Sequence, residues 1–188
     1  GVHSHEQHLF AILEACGRSG VPTAVHALLD GRDTAPKSGL GFVDRLLPHV
    51  EAAGGHVATV IGRFYAMDRD HRWERSKLAF DAIVHGIGMR APDAATAIAD
   101  AYARGEGDEF IVPTVLAASA PLGPDDAIIH LNFRADRARH RLRQRNIDLI
   151  QFDNRFDRQY LQRHLHHHYH DTSAIDSVSY THLTLPTK

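Results

Sequence analysis

The sequence predicts an α/β domain built in layers, with a largely parallel sheet flanked by helices. Three observations lead there. The chain has 188 residues, 43% of them hydrophobic, which is enough for one domain with a real core. Short apolar, β-branched runs at residues 23–29, 56–61 and 127–133 alternate with stretches of helical periodicity, the pattern of a parallel sheet with crossover helices. Each of those runs leads into a loop that carries arginine. Right-handed crossovers bring the carboxyl ends of such strands to one edge, where open α/β sheets bind ligands. With 23% charged residues and a net charge of −2, no global basic field draws the chain to nucleic acid or membrane. An anion site must then be a local concentration of arginine.

The elements follow in order. Ser4-His5-Glu6-Gln7 fits a capping box with Ser4 at the N-cap. Leu9, Ile12, Leu13 and Cys16 follow at helical spacing, closed by Gly17 and Gly20. Cys16 is the single cysteine, which excludes an internal disulfide, suits a reducing, cytoplasmic setting and, on an apolar helical face, packs in the core. His3 precedes the cap, beside the free N–H groups of a first turn that suit an oxygen-rich ligand. An exposed terminal histidine is the simpler reading. Residues 23–29 read as a buried strand, and Asp30-Gly31-Arg32-Asp33-Thr34 as the turn at its end. There Arg32 can bind an anion while Asp33 orients a hydroxyl.

Leu40, Val43, Leu47 and Val50 mark the next helix, which Pro48 is expected to kink or split. After Gly54-Gly55, the run 56–61 feeds the loop Gly62-Arg63-Phe64-Tyr65-Ala66-Met67-Asp68-Arg69-Asp70. Its arginine forks match phosphate or carboxylate oxygens; a solvated loop with Asp68 and Asp70 as partners explains them equally well. Trp73, Lys77, Phe80 and Val84 give a helix with Trp73 as a packing anchor. Pro92-Asp93 starts a surface helix, and residues 105–109 form an acidic turn. Residues 110–117 read as a strand that Pro113 places at an edge or bulge. The run 127–133, expected to be central in the sheet, ends in Asn132-Phe133-Arg134-Ala135-Asp136-Arg137. Arg134 and Arg137 share a helical face and oppose the helix dipole, so they want an anion.

The organisation expected is one α/β domain at 1–145 and an unassigned tail at 146–188. The His166-His167-His168-Tyr169-His170 run suits adventitious metal rather than a specific site. The last dozen or so residues resemble translated sequencing-adapter sequence and are left out of fold reasoning. The chain opens on Gly1 with no initiator methionine and is expected to be a fragment. No stretch approaches the ~18 apolar residues of a membrane span.

Arg32 with Asp33, Arg63 with Arg69, and Arg134 with Arg137 thus project from three loops on one edge. Five guanidiniums and one carboxylate would make a pocket for a small, multiply anionic ligand, leaving Asp33 and His3 to handle a hydroxyl or a proton.

Five segments together resemble the cofactor-independent (2,3-bisphosphoglycerate-independent) phosphoglycerate mutases. They are Gly1-Val2-His3-Ser4-His5, Asp30 to Thr34, Ile61 to Asp70, Tyr102-Ala103-Arg104-Gly105 with Asp108-Glu109-Phe110, and Asn132 to Ala138. They fall in family order across residues 1 to about 140. The resemblance implies a glycolytic isomerase that interconverts 3-phosphoglycerate and 2-phosphoglycerate. It implies that residues 1–145 are part of a substrate-binding domain inserted within an alkaline-phosphatase-like enzyme, with His3, Arg32, Asp33, Arg63, Arg69, Arg134 and Arg137 as the substrate-binding set. Asp33 would position or deprotonate the receiving hydroxyl. It implies two manganese ions and a phosphoserine on the phosphatase-like domain, no 2,3-bisphosphoglycerate, and no metal ligand on this chain. The isolated fragment is expected to be inactive. Competing readings are a non-catalytic module for another polyanion, a nucleotide or single-stranded nucleic acid, using Phe64, Tyr65 and Trp73, and a mutase acting on a sugar phosphate. Near-zero net charge speaks against the first, and the specific arginine loops against the second.

Overall fold

The strand Thr23–Leu29 (β1) is buried at every position but Ala24, as a strand covered on both faces must be. It lies in a computed structural model that describes residues 4–68, 70, 72–123, 126–132, 149–151 and 178–181. Helix α1 is Glu6–Ser19, β1 follows, then α2 (Gly39–Ala52), β2 (His56–Gly62), the single turn α3 (Arg63–Ala66) and α4 (Trp73–Val84). After these come β3 (Met89–Ala91), α5 (Ala94–Ala103), a 3-10 turn (Asp108–Phe110), β4 (Thr114–Leu116), β5 (Ala127–His130), β6 (Leu149–Gln151) and β7 (Val178–Thr181). The strands form one sheet in the order β3-β4-β2-β1-β7-β5-β6. All neighbours are parallel except β2 and β4, which are antiparallel. None of the helices of the described residues is long and apolar enough to cross a membrane.

Helices cover both faces. Leu9, Ile12 and Leu13 of α1, Val43, Leu46 and Val50 of α2, and Ala97 and Ile98 of α5 pack with Val25, Leu29 and Val60. On the other face Ala79, Ala82, Ile83 and Val84 of α4 meet Leu28, Ile61 and Val115. Each fully buried leucine or isoleucine contributes roughly 1.5–3 kcal/mol, so the strand ends are held on a stiff base. Cys16 is buried among the first group, as its position on α1 suggests.

Several expectations change. The N-cap of α1 is His5, not Ser4: His5 has the extended backbone of a cap, and its Nδ1 accepts from the Gln7 N–H at 3.2 Å. Pro48 neither splits nor ends α2. Both Pro48 and Asp44, whose carbonyl loses its donor, lie on the exposed side, where water can replace the missing bond. Trp73 is 56% exposed rather than an anchor, because the small residues of α4 supply its buried face. The helix after Pro92 is not superficial; it starts at Ala94, capped by the Asp93 carboxylate on the Thr96 N–H at 2.7 Å, and buries Ala94, Ala97, Ile98 and Ala101. The run expected at 110–117 begins as a 3-10 turn, and its strand starts only after Pro113. That strand is internal because β3, only three residues long and largely exposed, takes the edge outside it. β5 is flanked by β7 and β6 and stands one place from the sheet's end. Two strands come from beyond residue 145, where no alternation of elements is evident in the sequence.

Candidate functional site

β1 and β2 are parallel neighbours with Leu29 opposite Gly62. Their outgoing loops therefore start side by side on one edge. Asp30 folds the first loop: its Oδ1 accepts the backbone N–H of Arg32 at 3.1 Å and of Asp33 at 3.0 Å. The Thr34 hydroxyl accepts the Gly31 N–H at 3.0 Å. Gly31 has φ +65° and lies so near the 3-10 turn that a Cβ would come within 2.6 Å of the Glu109 nitrogen. Glycine answers both constraints. Gly62 meets the same turn from β2, and a Cβ there would overlap the Glu109 carbonyl oxygen and the Ile111 nitrogen. Instead the Gly62 N–H donates to the Ile111 carbonyl at 2.8 Å. Both loops thus lean on one short piece of backbone.

Arg63 follows Gly62 and is only 5% exposed. Its Nη1 donates to Asp30 Oδ1 and to Asp33 Oδ2, the latter at 3.0 Å. Burial opposes the guanidinium charge, but the hydrogen bonds and attraction of Asp30 and Asp33 outweigh it, and the pKa rises above its ordinary value. The Asp30 side chain is 3% exposed and that of Asp33 36%. A buried charge must be paired and hydrogen-bonded, and Asp30 does this for Arg63 from below. Asp33 completes the pairing from the solvent side, with Arg32 exposed beside it.

An aromatic rim borders the cluster. The ring of Phe64 meets Tyr65 and Phe110 at centroid distances of 5.2 and 5.3 Å. The Arg75 guanidinium lies 3.9 Å over the same ring, a favourable cation–π arrangement. Burial first, and then Glu106, raise the Tyr65 pKa against the opposing pull of Arg75. Asp68 accepts the Arg72 N–H at 2.8 Å and pairs with Arg75 at 3.8 Å.

Under the rim lies a carboxylate that the sequence hides. Asp108 is 1% exposed. Its Oδ2 accepts the Ser38 and Gly39 N–H groups, both at 2.9 Å, and the Tyr102 hydroxyl donates to Oδ1 at 2.5 Å. It thereby satisfies donors at the start of α2 and fixes the turn on which Gly31 and Gly62 rest. Burial raises its pKa even against these hydrogen bonds. In sequence it is one acid of Gly105-Glu106-Gly107-Asp108-Glu109, with nothing to separate it from a solvated turn.

Of the expected site residues, Arg32, Asp33 and Arg63 come together. His3, Arg69, Arg134 and Arg137 lie outside the described residues, as does the histidine run. β5, which leads toward Arg134, runs parallel to β7 and β7 to β1. Its carboxyl end therefore faces the same edge. Arg63 is paired through Nη1 with Asp30 and Asp33, where the sequence offered Asp68 and Asp70 as partners of the loop's arginines. Asp30 was legible only as turn chemistry, although an aspartate at a strand end followed by Gly-x-Asp is the signal for a side chain that bonds the backbone ahead of it.

Fold and site define an α/β domain with an arginine–aspartate cluster at the carboxyl edge of adjacent parallel strands. The chain belongs to the family of BPG-independent phosphoglycerate mutase N-termini: the family model described as "BPG-independent PGAM N-terminus" matches residues 1–176. Among similar proteins, the 2,3-bisphosphoglycerate-independent phosphoglycerate mutase of Natronomonas pharaonis is 53% identical over 146 residues, covering 76% of this chain and 29% of that protein. The protein of the same name from Cereibacter sphaeroides is 55% identical over 139 residues, covering 74% of this chain and 27% of that one. A solved structure of Leishmania mexicana phosphoglycerate mutase, at low cobalt concentration, aligns with a TM-score of 0.71 at 26% identity. It covers 96% of this chain and 32% of that one. The chain thus spans less than a third of the length of these relatives.

Proposed function

We propose that this chain supplies the substrate pocket of a 2,3-bisphosphoglycerate-independent phosphoglycerate mutase, an isomerase interconverting 3-phosphoglycerate and 2-phosphoglycerate in glycolysis and gluconeogenesis in the cytoplasm. The observation that carries the reading is the meeting of Arg63 with Asp33 on neighbouring strand ends, 30 positions apart in sequence. The family match and the names of the relatives support it. In this reading His3, Arg32, Asp33, Arg63, Arg69, Arg134 and Arg137 bind the substrate. The arginines hold its carboxylate and phosphoryl groups through charge-assisted bonds of about 1.5–3 kcal/mol each. Asp33, the half-exposed member of the cluster, orients the receiving hydroxyl and takes its proton.

Two manganese ions belong, in this reading, to the phosphatase-like part of the parent enzyme, together with their ligands. The cluster itself does not fit a divalent cation, since Asp30 and Asp33 close around a guanidinium. Among the described residues no group of three or more His, Cys, Asp or Glu is placed to hold a metal.

Titration calorimetry tests the proposal. The chain should bind 3-phosphoglycerate weakly, and Arg63→Ala or Arg134→Ala, checked for folding by circular dichroism, should abolish the heat. Equal affinity for unphosphorylated glycerate would defeat the reading. Adding manganese should give the purified chain no mutase turnover.

A further inference from the structure

We infer that Asp30, a residue sealed from solvent, is the positioning residue of this site: one carboxylate oxygen sets both the Arg63 guanidinium and the turn that presents Arg32 and Asp33. The inference rests on the proposed pocket but concerns a residue below it. Asp30 Oδ1 accepts from Arg63 Nη1, the Arg32 N–H and the Asp33 N–H. Those three donors belong to the three expected site residues that the structure describes. At 4% exposure, and bonded to Arg63 and to the turn, Asp30 acts through its neighbours rather than on a ligand.

The geometry separates two jobs. The turn needs an oxygen that accepts two backbone N–H groups, and a neutral amide oxygen serves as well as a carboxylate. Holding a buried guanidinium against the pull of Asp33 needs the charge, because hydrogen bonds between ionised partners are the strong ones. Without that hold, Arg63 swings toward its remaining partner, Asp33, and both lose the alignment a bound anion requires. Fixed placement of such groups is what makes a site effective.

Asp30→Asn is therefore the decisive variant, since it keeps the acceptor oxygen and removes the charge. A simple Coulomb view says that deleting a negative charge beside the pocket should tighten anion binding. The positioning role predicts the opposite, with 3-phosphoglycerate bound about tenfold more weakly.

The experiment is calorimetry with 3-phosphoglycerate on the 188-residue chain and its Asp30→Asn and Asp30→Ala variants. Alongside it, nitrogen-15 NMR of the Arg63 side chain reads the guanidinium without any ligand. Asp93→Ala, which removes the cap of α5, serves as the control for lost stability alone and should bind as the parent chain does. We expect slowly exchanging Arg63 N–H protons in the parent chain and their loss in Asp30→Asn, together with the weaker binding. Asp30→Ala should lose both the signal and the binding. Parent-like affinity or an unchanged Arg63 signal in Asp30→Asn overturns the inference, even if Asp30→Ala fails to fold. If the parent chain itself ignores 3-phosphoglycerate, the proposed function fails, and the Arg63 signal alone decides the role of Asp30.

Discussion

Replacing Arg63 by methionine should be among the costliest single changes in this chain, and the structure gives its size. Arg63 is 5% exposed and Asp30 4%. The methionine side chain would fill much of the space but leave Asp30 as a buried carboxylate facing a thioether. Removing one partner of a buried pair costs about 3–5 kcal/mol. The second partner adds little: the Asp33 side chain is 36% exposed, and water screens it to within about 1 kcal/mol. With a urea slope of about 2 kcal/mol per molar, the midpoint should fall by about 1.5–2.5 M. Urea titration followed by circular dichroism reads this directly. The double variant Arg63→Met with Asp30→Asn removes the stranded charge and should recover at least half of the loss. Were the single change to cost less than about 1 kcal/mol, or the double variant to recover nothing, the buried pair would not be what holds this edge together.

Gly62→Ala should destabilise the chain by about 1–3 kcal/mol or more and weaken 3-phosphoglycerate binding, because its new methyl meets the Glu109 and Ile111 backbone; parent-like melting would refute the contact. His26 predicts a pH dependence. Its ring is buried against the Thr59 hydroxyl at 3.0 Å, and burial, then nearby His56, lower its pKa from 6.5 to about 3. Between those values the unfolded chain binds a proton that the native chain refuses, so stability is complete above pH 6.5 and falls as pH drops toward 3. Near pH 4.5 the loss from this group should be about 2–3 kcal/mol. Urea midpoints at about pH 7 and 4.5 should show it, and His26→Gln should shrink the difference. An equal difference in that variant would clear His26 of the effect.

Much of this was legible from residue order. The run 23–29 and the span of α4 coincide with observed elements, because a strand buried on both faces and a long amphipathic helix leave strong patterns. The meeting of Arg63 with Asp33 follows from two loops leaving adjacent parallel strands. Periodicity could not say that Arg63 turns inward, since a charge carries no mark of its depth until its partners are known. Asp108 escaped for the same reason: its donors lie at residues 38, 39 and 102. Trp73 misled because size suggests burial, whereas Ala79 and Ala82 let α4 approach its sheet closely. β3 is too short to register, since three residues cannot display a period.

The support that Glu109 gives to Gly31 and Gly62 has a consequence during synthesis. A ribosome delivers both crests well before it makes the backbone on which they rest. Until residues 108–111 emerge, Gly31 and Gly62 have nothing to press against, and Gly62 lacks the carbonyl that takes its N–H. A nascent chain can pair β1 with β2 early, but its arginine–aspartate crest gains its backing only once the later segment has come back across the sheet.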